Sequence, residues 1–429
     1  MGTCLKRTLG AMFLFCFAVQ YAFAGEIDLL LNKLVEKGVL SAGEAQAIAT
    51  ETKEQIKSEI AQAKSETLPQ WLQQVKLKGD MRLRYEWDKD KTLQDQSRAR
   101  IRARLGVESK INNQLKMGVG IATGTTGDPR SRNITLGNSS SANTPGSSKD
   151  IVLDYAYGQW TPNKYLSIIG GKFQNNLWQP HDVFWKGDIT PDGAGVNLAY
   201  QFNQKLNFFM NNLMFVLKND SRTDKQPFMA ALQPGFTYAI TDTMNLKSAL
   251  TYYKFQSVKA AQKFSYSKSG SSPYLLSGNT LIGGRYAYNY DAIQPSVELS
   301  FVEPFQGLVP YASVFGDYIR NVSGLENKTG LGGFDAGVKF GYEKVSDWKQ
   351  WQTKLVYSKL GRDSWLDIFT DSDRYGGTTN SKAFEGVFEF GVGKNTSLAM
   401  DYYYASSLSK GVNGRVPEQV LQLDWNMKF

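Results

Sequence analysis

The densest chemistry in this chain is basic. Within the stretches 75–87 and 98–111, Lys76, Lys78, Arg82, Arg84, Arg98, Arg100, Arg102, Arg104 and Lys110 recur at even positions, against only Asp80, Glu86 and Glu108. Guanidinium groups stay charged and present a planar fork to oxyanions. A row of them offers small anions successive weak sites, which suits conduction better than catalysis. A second concentration is "QNNLWQPHDVFWKGDIT", residues 174–190, which places Trp178, His181, Asp182, Phe184, Trp185, Lys186 and Asp188 in one connection. His181 is the only histidine of the chain. Alone it builds no metal site, and no nucleophile elbow, phosphate-binding glycine loop or zinc spacing accompanies it. The expectation is a protein without catalytic residues, metal or cofactor.

Stepping down to the elements that hold these groups, "VKLKGDMRLRYEW" (75–87) alternates strictly. Val75, Leu77, Gly79, Met81, Leu83, Tyr85 and Trp87 fall on one side and the charged residues on the other, a β-strand with two unlike faces. "RARIRARLGVESKI" (98–111) repeats the pattern, as do "GAGVNLAYQF", "FDAGVKFGYE" and the closing "EQVLQLDWNMKF". In a soluble sheet the apolar face would turn inward. In a transmembrane barrel it turns to lipid, and the charged face lines a wet lumen.

Spacing decides between the two. Tight turns at Asn112-Asn113, Pro162 to Lys164, Asn203 to Lys205, Thr241 to Thr243, Pro304 to Gly307, Ser346 to Trp348 and Lys394 to Thr396 alternate with long polar stretches. Those stretches lie near 88–97, 125–149, 174–191, 218–227, 258–286, 321–331, 362–381 and 406–416. Strands of about ten to thirteen residues joined this way predict an all-β, antiparallel up-and-down transmembrane β-barrel of about 16 strands over 71–429. A soluble sandwich has shorter strands and no need of such regularity.

Composition agrees. Aromatic residues make up 13% of the 429 residues, glycine numbers 40, and the mean hydropathy of -0.37 excludes a helical membrane bundle. The segment 1–24, with Lys6 and Arg7 before an apolar run and Ala22-Phe23-Ala24 after it, reads as a signal peptide. Both cysteines, Cys4 and Cys16, fall inside it, so the exported chain is expected to lack thiols. The net charge is +9, or +7 without Lys6 and Arg7; export argues against nucleic acid as the partner. Residues 25–70 carry a helical stripe at Ile27, Leu30, Leu31, Leu34 and Val35, then "SAGE" from Ser41 to Glu44 with capping-box spacing. They read as a periplasmic helical segment, either a short coiled coil or a single amphipathic helix.

The order of "LLNKLVEKGVLSAGEAQAI", "GDMRLRYEW", "RARIRARLG", "DYAYGQW", "IIGGKFQ", "DGAGVNLAY" and the terminal "DWNMKF" resembles the putative porins of Gram-negative bacteria that carry a short helical segment before the barrel. It is more distantly similar to the phosphate-selective porins. The resemblance implies an outer-membrane homotrimer of water-filled channels, in contact with lipid and passing small hydrophilic solutes or anions. It also implies that residues 174–191 fold inward as a constriction, with Trp178, Asp182, Trp185, Lys186 and Asp188 as candidates. Lys186 is the only lysine there, so phosphate selectivity is not carried over. The expected function is passive diffusion with a mild anion preference. The alternatives are a barrel that sheathes a partner protein or an outer-membrane barrel enzyme.

Overall fold

The computed structural model describes residues 33–37, 40–41, 43–48, 50–51, 54, 74–90, 95–137, 146–219, 226–264, 277–305, 307–324, 328–410 and 417–429. The expected signal peptide and most of the expected coiled coil lie outside the described residues. Within the N-terminal segment, residues 43–48 are helical. Their capping box is closed: Ser41 N–H donates to Glu44 Oε2 at 2.9 Å and Glu44 N–H to Ser41 Oγ at 3.3 Å.

From Lys76 onward the chain forms sixteen long antiparallel strands. They are β1 (Lys76–Asp90), β2 (Gln96–Lys110), β3 (Leu115–Thr123), β4 (Ile151–Asn163), β5 (Leu166–Lys172), β6 (Asp192–Gln201), β7 (Leu206–Val216) and β8 (Phe228–Ala239). The second half comprises β9 (Met244–Gln256), β10 (Ala292–Val302), β11 (Tyr311–Asn321), β12 (Gly332–Gly341), β13 (Trp351–Leu360), β14 (Ser381–Gly393), β15 (Thr396–Ser407) and β16 (Pro417–Lys428). Each pairs with its sequence neighbours, and β1 pairs with β16 from Asp80↔Lys428 to Asp90↔Glu418, which closes the barrel. Closure leaves no open edge, so every strand finds backbone partners without water, the condition for crossing a bilayer.

The two faces sort as a membrane barrel requires. Tyr85, Leu105, Leu153, Val314, Met400 and Trp425 are exposed on the outside. Arg84, Glu86, Arg102, Asp154, Gln422 and Asp424 are buried inside. β1 and β2 run further than their polar ends suggest, so the connection expected at 88–97 shrinks to 91–95.

One sequence expectation is overturned. Residues 362–381 read as an external polar loop, but they fold into the barrel, where Trp365, Leu366, Ile368, Phe369 and Tyr375 are buried. Trp365, Leu366, Ile368 and Phe369 join Phe173, Leu177, Val183, Phe184, Trp185 and Ile189 of the connection after β5, while Tyr375 packs separately on Ala383 and Ala405. Val258, Phe264, Tyr286 and Tyr290, between β9 and β10, add to the first cluster. The wall opposite supplies Leu213 and Phe215 of β7, Met229 of β8, Tyr253 and Phe255 of β9, Phe315 and Ile319 of β11, and Val356 and Leu360 of β13. At about 1.5–3 kcal/mol for each large apolar side chain withdrawn from water, this core holds the connections in place. It fills the side of the barrel away from the arginines of β1 and β2.

Candidate functional site

The inward faces of β1 and β2 are one surface, because their registers oppose Arg82 to Arg102 and Arg84 to Arg100. Four guanidinium groups so close repel one another unless anions intervene. Carboxylates do so throughout. Arg84 grips Asp424 of β16 in a two-pronged pair at 2.7 and 2.8 Å. Arg82 donates to Asn426 Oδ1 at 2.9 Å and lies 3.3 Å from Asp424. Glu86 receives Arg100 at 2.9 Å and also Arg98. Asp80 receives Arg102 at 2.6 Å. Lys78 pairs with Glu108 at 2.6 Å, while Lys76 is exposed at the end of the strand.

The folded-in connections supply the rest of the counter-charge. Asp188 accepts from Arg104 Nη2 at 2.6 Å and from the Arg132 backbone N–H at 3.2 Å. Asp373 stands 3.9 Å from Arg84 and 3.0 Å from Lys186, whose ammonium also pairs with Asp371. Arg374 turns the other way, toward Glu385 of β14, with Asp371 at 3.1 Å. Arg130 threads under the Tyr375–Gly377 turn and donates to the Gly377 carbonyl at 3.0 Å. The two connections are also fastened to each other: Trp365 Nε1–H donates to the Phe184 carbonyl at 2.7 Å, and Trp185 stacks on Phe369 at 4.7 Å.

These surroundings set the proton affinities of the connection residues. Burial opposes the Asp188 charge, but Arg104 and Arg102 outweigh it and hold the carboxyl at about 2. Burial likewise opposes the Lys186 ammonium, and Asp371, Asp373 and Asp182 hold its pKa well above the usual lysine range. His181 goes down instead, through burial first and then the Lys354, Arg374 and Lys186 charges. As a neutral ring it accepts from Lys354 Nζ at 2.7 Å, with Asp182 and Glu385 beside it and Phe315 stacked below at 5.7 Å.

A pH dependence follows. A pKa below the ordinary 6.5 means that the opened chain binds the His181 proton before the folded one does. The stabilisation is therefore complete above that pH and lost as pH falls beneath it. Hydrogen exchange of 177–189 should quicken on going from neutral to mildly acidic buffer. His181→Gln, which keeps an acceptor and removes the titration, should flatten the response. An equal loss in both proteins would assign the effect to the carboxylates.

Of the connection residues singled out in the sequence, Asp182, Lys186 and Asp188 face an open space of about 320 Å³, together with Arg82, Arg84 and Arg102. Trp185 does not; it is buried in the apolar core. Trp178 sits beneath Lys247, 4.6 Å from its ring centre, away from the arginine wall. Sequence reasoning missed Arg132, Lys354, Asp371, Asp373, Arg374 and Glu385. A signal for part of this set was present: "WLDIF", 365–369, is too apolar for an external loop, and "DSDR", 371–374, follows it directly.

The molecule is thus a closed sixteen-strand barrel with an apolar exterior, a charged interior and inward connections. The sequence matches the family described as Putative porin over residues 87–282 and 285–429. The chain belongs to that family. No curated relative matches its sequence. Among solved structures it is similar to Pseudomonas putida OprB, with 12% identity, 83% of this chain and 94% of that one covered, and a TM-score of 0.50. It is also similar to Vibrio cholerae OmpT in its trimer form, with 11% identity, 83% and 99% covered, and a TM-score of 0.44. A mutant of the Rhodopseudomonas blastica porin gives 11% identity, 83% and 100% covered, and a TM-score of 0.43. Such identities speak to the fold alone. Membership makes this an outer-membrane β-barrel of the porin type.

Proposed function

We propose that the barrel is a water-filled channel for passive diffusion of small hydrophilic solutes, narrowed where Asp188 and Asp373 meet the arginines of β1 and β2. The observation that carries this reading is a pair of open spaces, of about 320 and 740 Å³, both bordered by Arg102 inside an apolar exterior. Charged, hydrated walls let ions pass through successive weak contacts without being held.

Selectivity depends on what the ion pairs leave over. Each arginine of the wall already has an acidic or amide partner, so the anion preference we propose is mild and resides mainly in Arg98, Arg82 and Arg104, the most exposed of the wall arginines. The family resemblance extends the reading to a homotrimer with residues 25–70 on the periplasmic side. Single-channel recording of the purified protein in a planar bilayer tests it. Stepwise conductance with a small anion-favouring reversal potential under a salt gradient is expected. Folded protein that conducts nothing would turn the reading toward a barrel that sheathes a partner.

A further inference from the structure

Two tyrosines cover part of the channel wall side by side, their rings tilted 40° to one another. Tyr155 and Tyr157 project from β4 across β3 toward β2, with ring centres 5.9 Å apart. They can do so because the strands beneath them carry glycine. A Cβ at Gly120 or Gly106 would collide with the Tyr155 ring or its hydroxyl, and one at Gly118 would come within 2.7 Å of the Tyr157 ring. A register shift between Gly120 and Ile121 turns this stretch of β4 so that Tyr155 follows Asp154 inward. The rings cover bare backbone on one side and border an open chamber of about 740 Å³ on the other.

Covering a glycine is a common packing device of sheets. Phe209 over Gly235 and Phe315 over Gly337 use it here as single rings, and Phe315 is buried under His181. The tyrosine pair differs in being double, side by side and half-exposed, with the Lys116 ammonium over the Tyr157 ring 5.6 Å from its centre. Its rim is polar: Glu108 accepts from Tyr157 Oη at 2.9 Å and pairs with Lys78 at 2.6 Å and Lys116 at 3.1 Å. Arg104 stands 3.5 Å from Asp154. Each of these groups has a partner of opposite charge, with Glu108 shared between two ammonium groups, so no charge at the rim stands alone. Their spare lone pairs and N–H groups still donate and accept at the edge of an apolar plane.

We propose that Tyr155 and Tyr157 form a stacking platform for a neutral, hydroxyl-rich ring solute, a sugar, in the chamber beyond the narrowing. The C–H face of such a ring is apolar and its rim is a circle of hydroxyls. It therefore fits an aromatic floor edged by paired carboxylate, ammonium and guanidinium groups. Binding is weak and single-sided, as transit demands. The proposal rests on the channel reading, in that the solute reaches the chamber through the pore.

The test separates the two. Salt current in a planar bilayer reports the channel, and maltotriose added to the conducting protein reports the platform through a saturable reduction of that current. Saturation-transfer NMR of maltotriose with detergent-solubilised protein reports binding even without conduction. Tyr155→Phe with Tyr157→Phe keeps both rings and should retain block. Tyr155→Leu with Tyr157→Leu keeps the glycines covered but removes the flat faces, and should weaken block about tenfold at unchanged salt current. Equal block in the leucine variant, or a salt current that only an aromatic anion such as benzoate reduces, would overturn the sugar platform while the channel stands.

Discussion

Replacing Trp365 with alanine should open the channel without unfolding the barrel. Trp365 is fully buried and packs on Tyr253, Phe255 and Phe369 with ring centres 4.6, 5.5 and 5.6 Å away. Its indole N–H also donates one of the hydrogen bonds that tie residues 361–380 to the 173–191 connection, beside the backbone bonds Lys186 N–H to the Phe369 carbonyl and Asp371 N–H to the Val183 carbonyl. Truncating such a ring costs about 3–5 kcal/mol, from lost transfer energy and the cavity left behind. The strand ladders around the barrel do not involve this side chain, so the loss falls on the two connections and appears as local opening. Expected are faster hydrogen exchange across 177–189 and 361–380 together and a clear rise in single-channel conductance. Trp160→Ala, on the lipid-facing side, should alter neither. A Trp365→Ala channel of unchanged conductance and protection would show that the connections do not restrict the pore.

The barrel was legible because a strand exposes its environment at every second residue. Seven tight turns and the inverted alternation at Val75–Trp87 were enough to predict sixteen strands, and the β1–β16 closure opposes Arg84 to Asp424 in the structure. The interior was less legible, since nothing local says which polar-looking connection turns inward. Residues 362–381 were averaged as polar, although Trp365, Leu366, Ile368 and Phe369 carry most of the burial there. Those four find their partners on β7 to β13, more than a hundred residues away for β9 and further for β7. The same distance hides the ion pairs. An arginine row reads as free positive charge until the folded chain sets Asp188 against Arg104 and Asp373 near Arg84. Trp185 erred in the opposite sense: an aromatic in an inward loop suggested the narrowing, whereas its apolar ring sought Phe369 and left the water to its charged neighbours.

The neutralised wall leads to the second large effect. If the loop acids cancel the arginines, removing them should create the selectivity that the arginine row alone suggests. Asp188→Asn with Asp373→Asn keeps the shape of both side chains and removes two negative charges facing Arg84, Arg102, Arg104 and Lys186. A unit charge about 4 Å away is worth ~1 kcal/mol in water and ~4 kcal/mol at a protein surface, so the ratio of anion to cation permeability should rise roughly tenfold. The effect should fade in concentrated salt, where the screening length drops to about 3 Å. Arg100→Glu with Arg102→Glu should shift the reversal potential the other way, toward cations. Because Lys186 keeps Asp371, the connection stays fastened, and the asparagine variant should change selectivity more than conductance. The Trp365 variant should do the reverse. A reversal potential that stays put in both charge variants would mean that ions pass away from this wall. The narrowest stretch would then lie elsewhere, with the arginine–carboxylate ladder serving to fasten the inward connections to β1, β2 and β16.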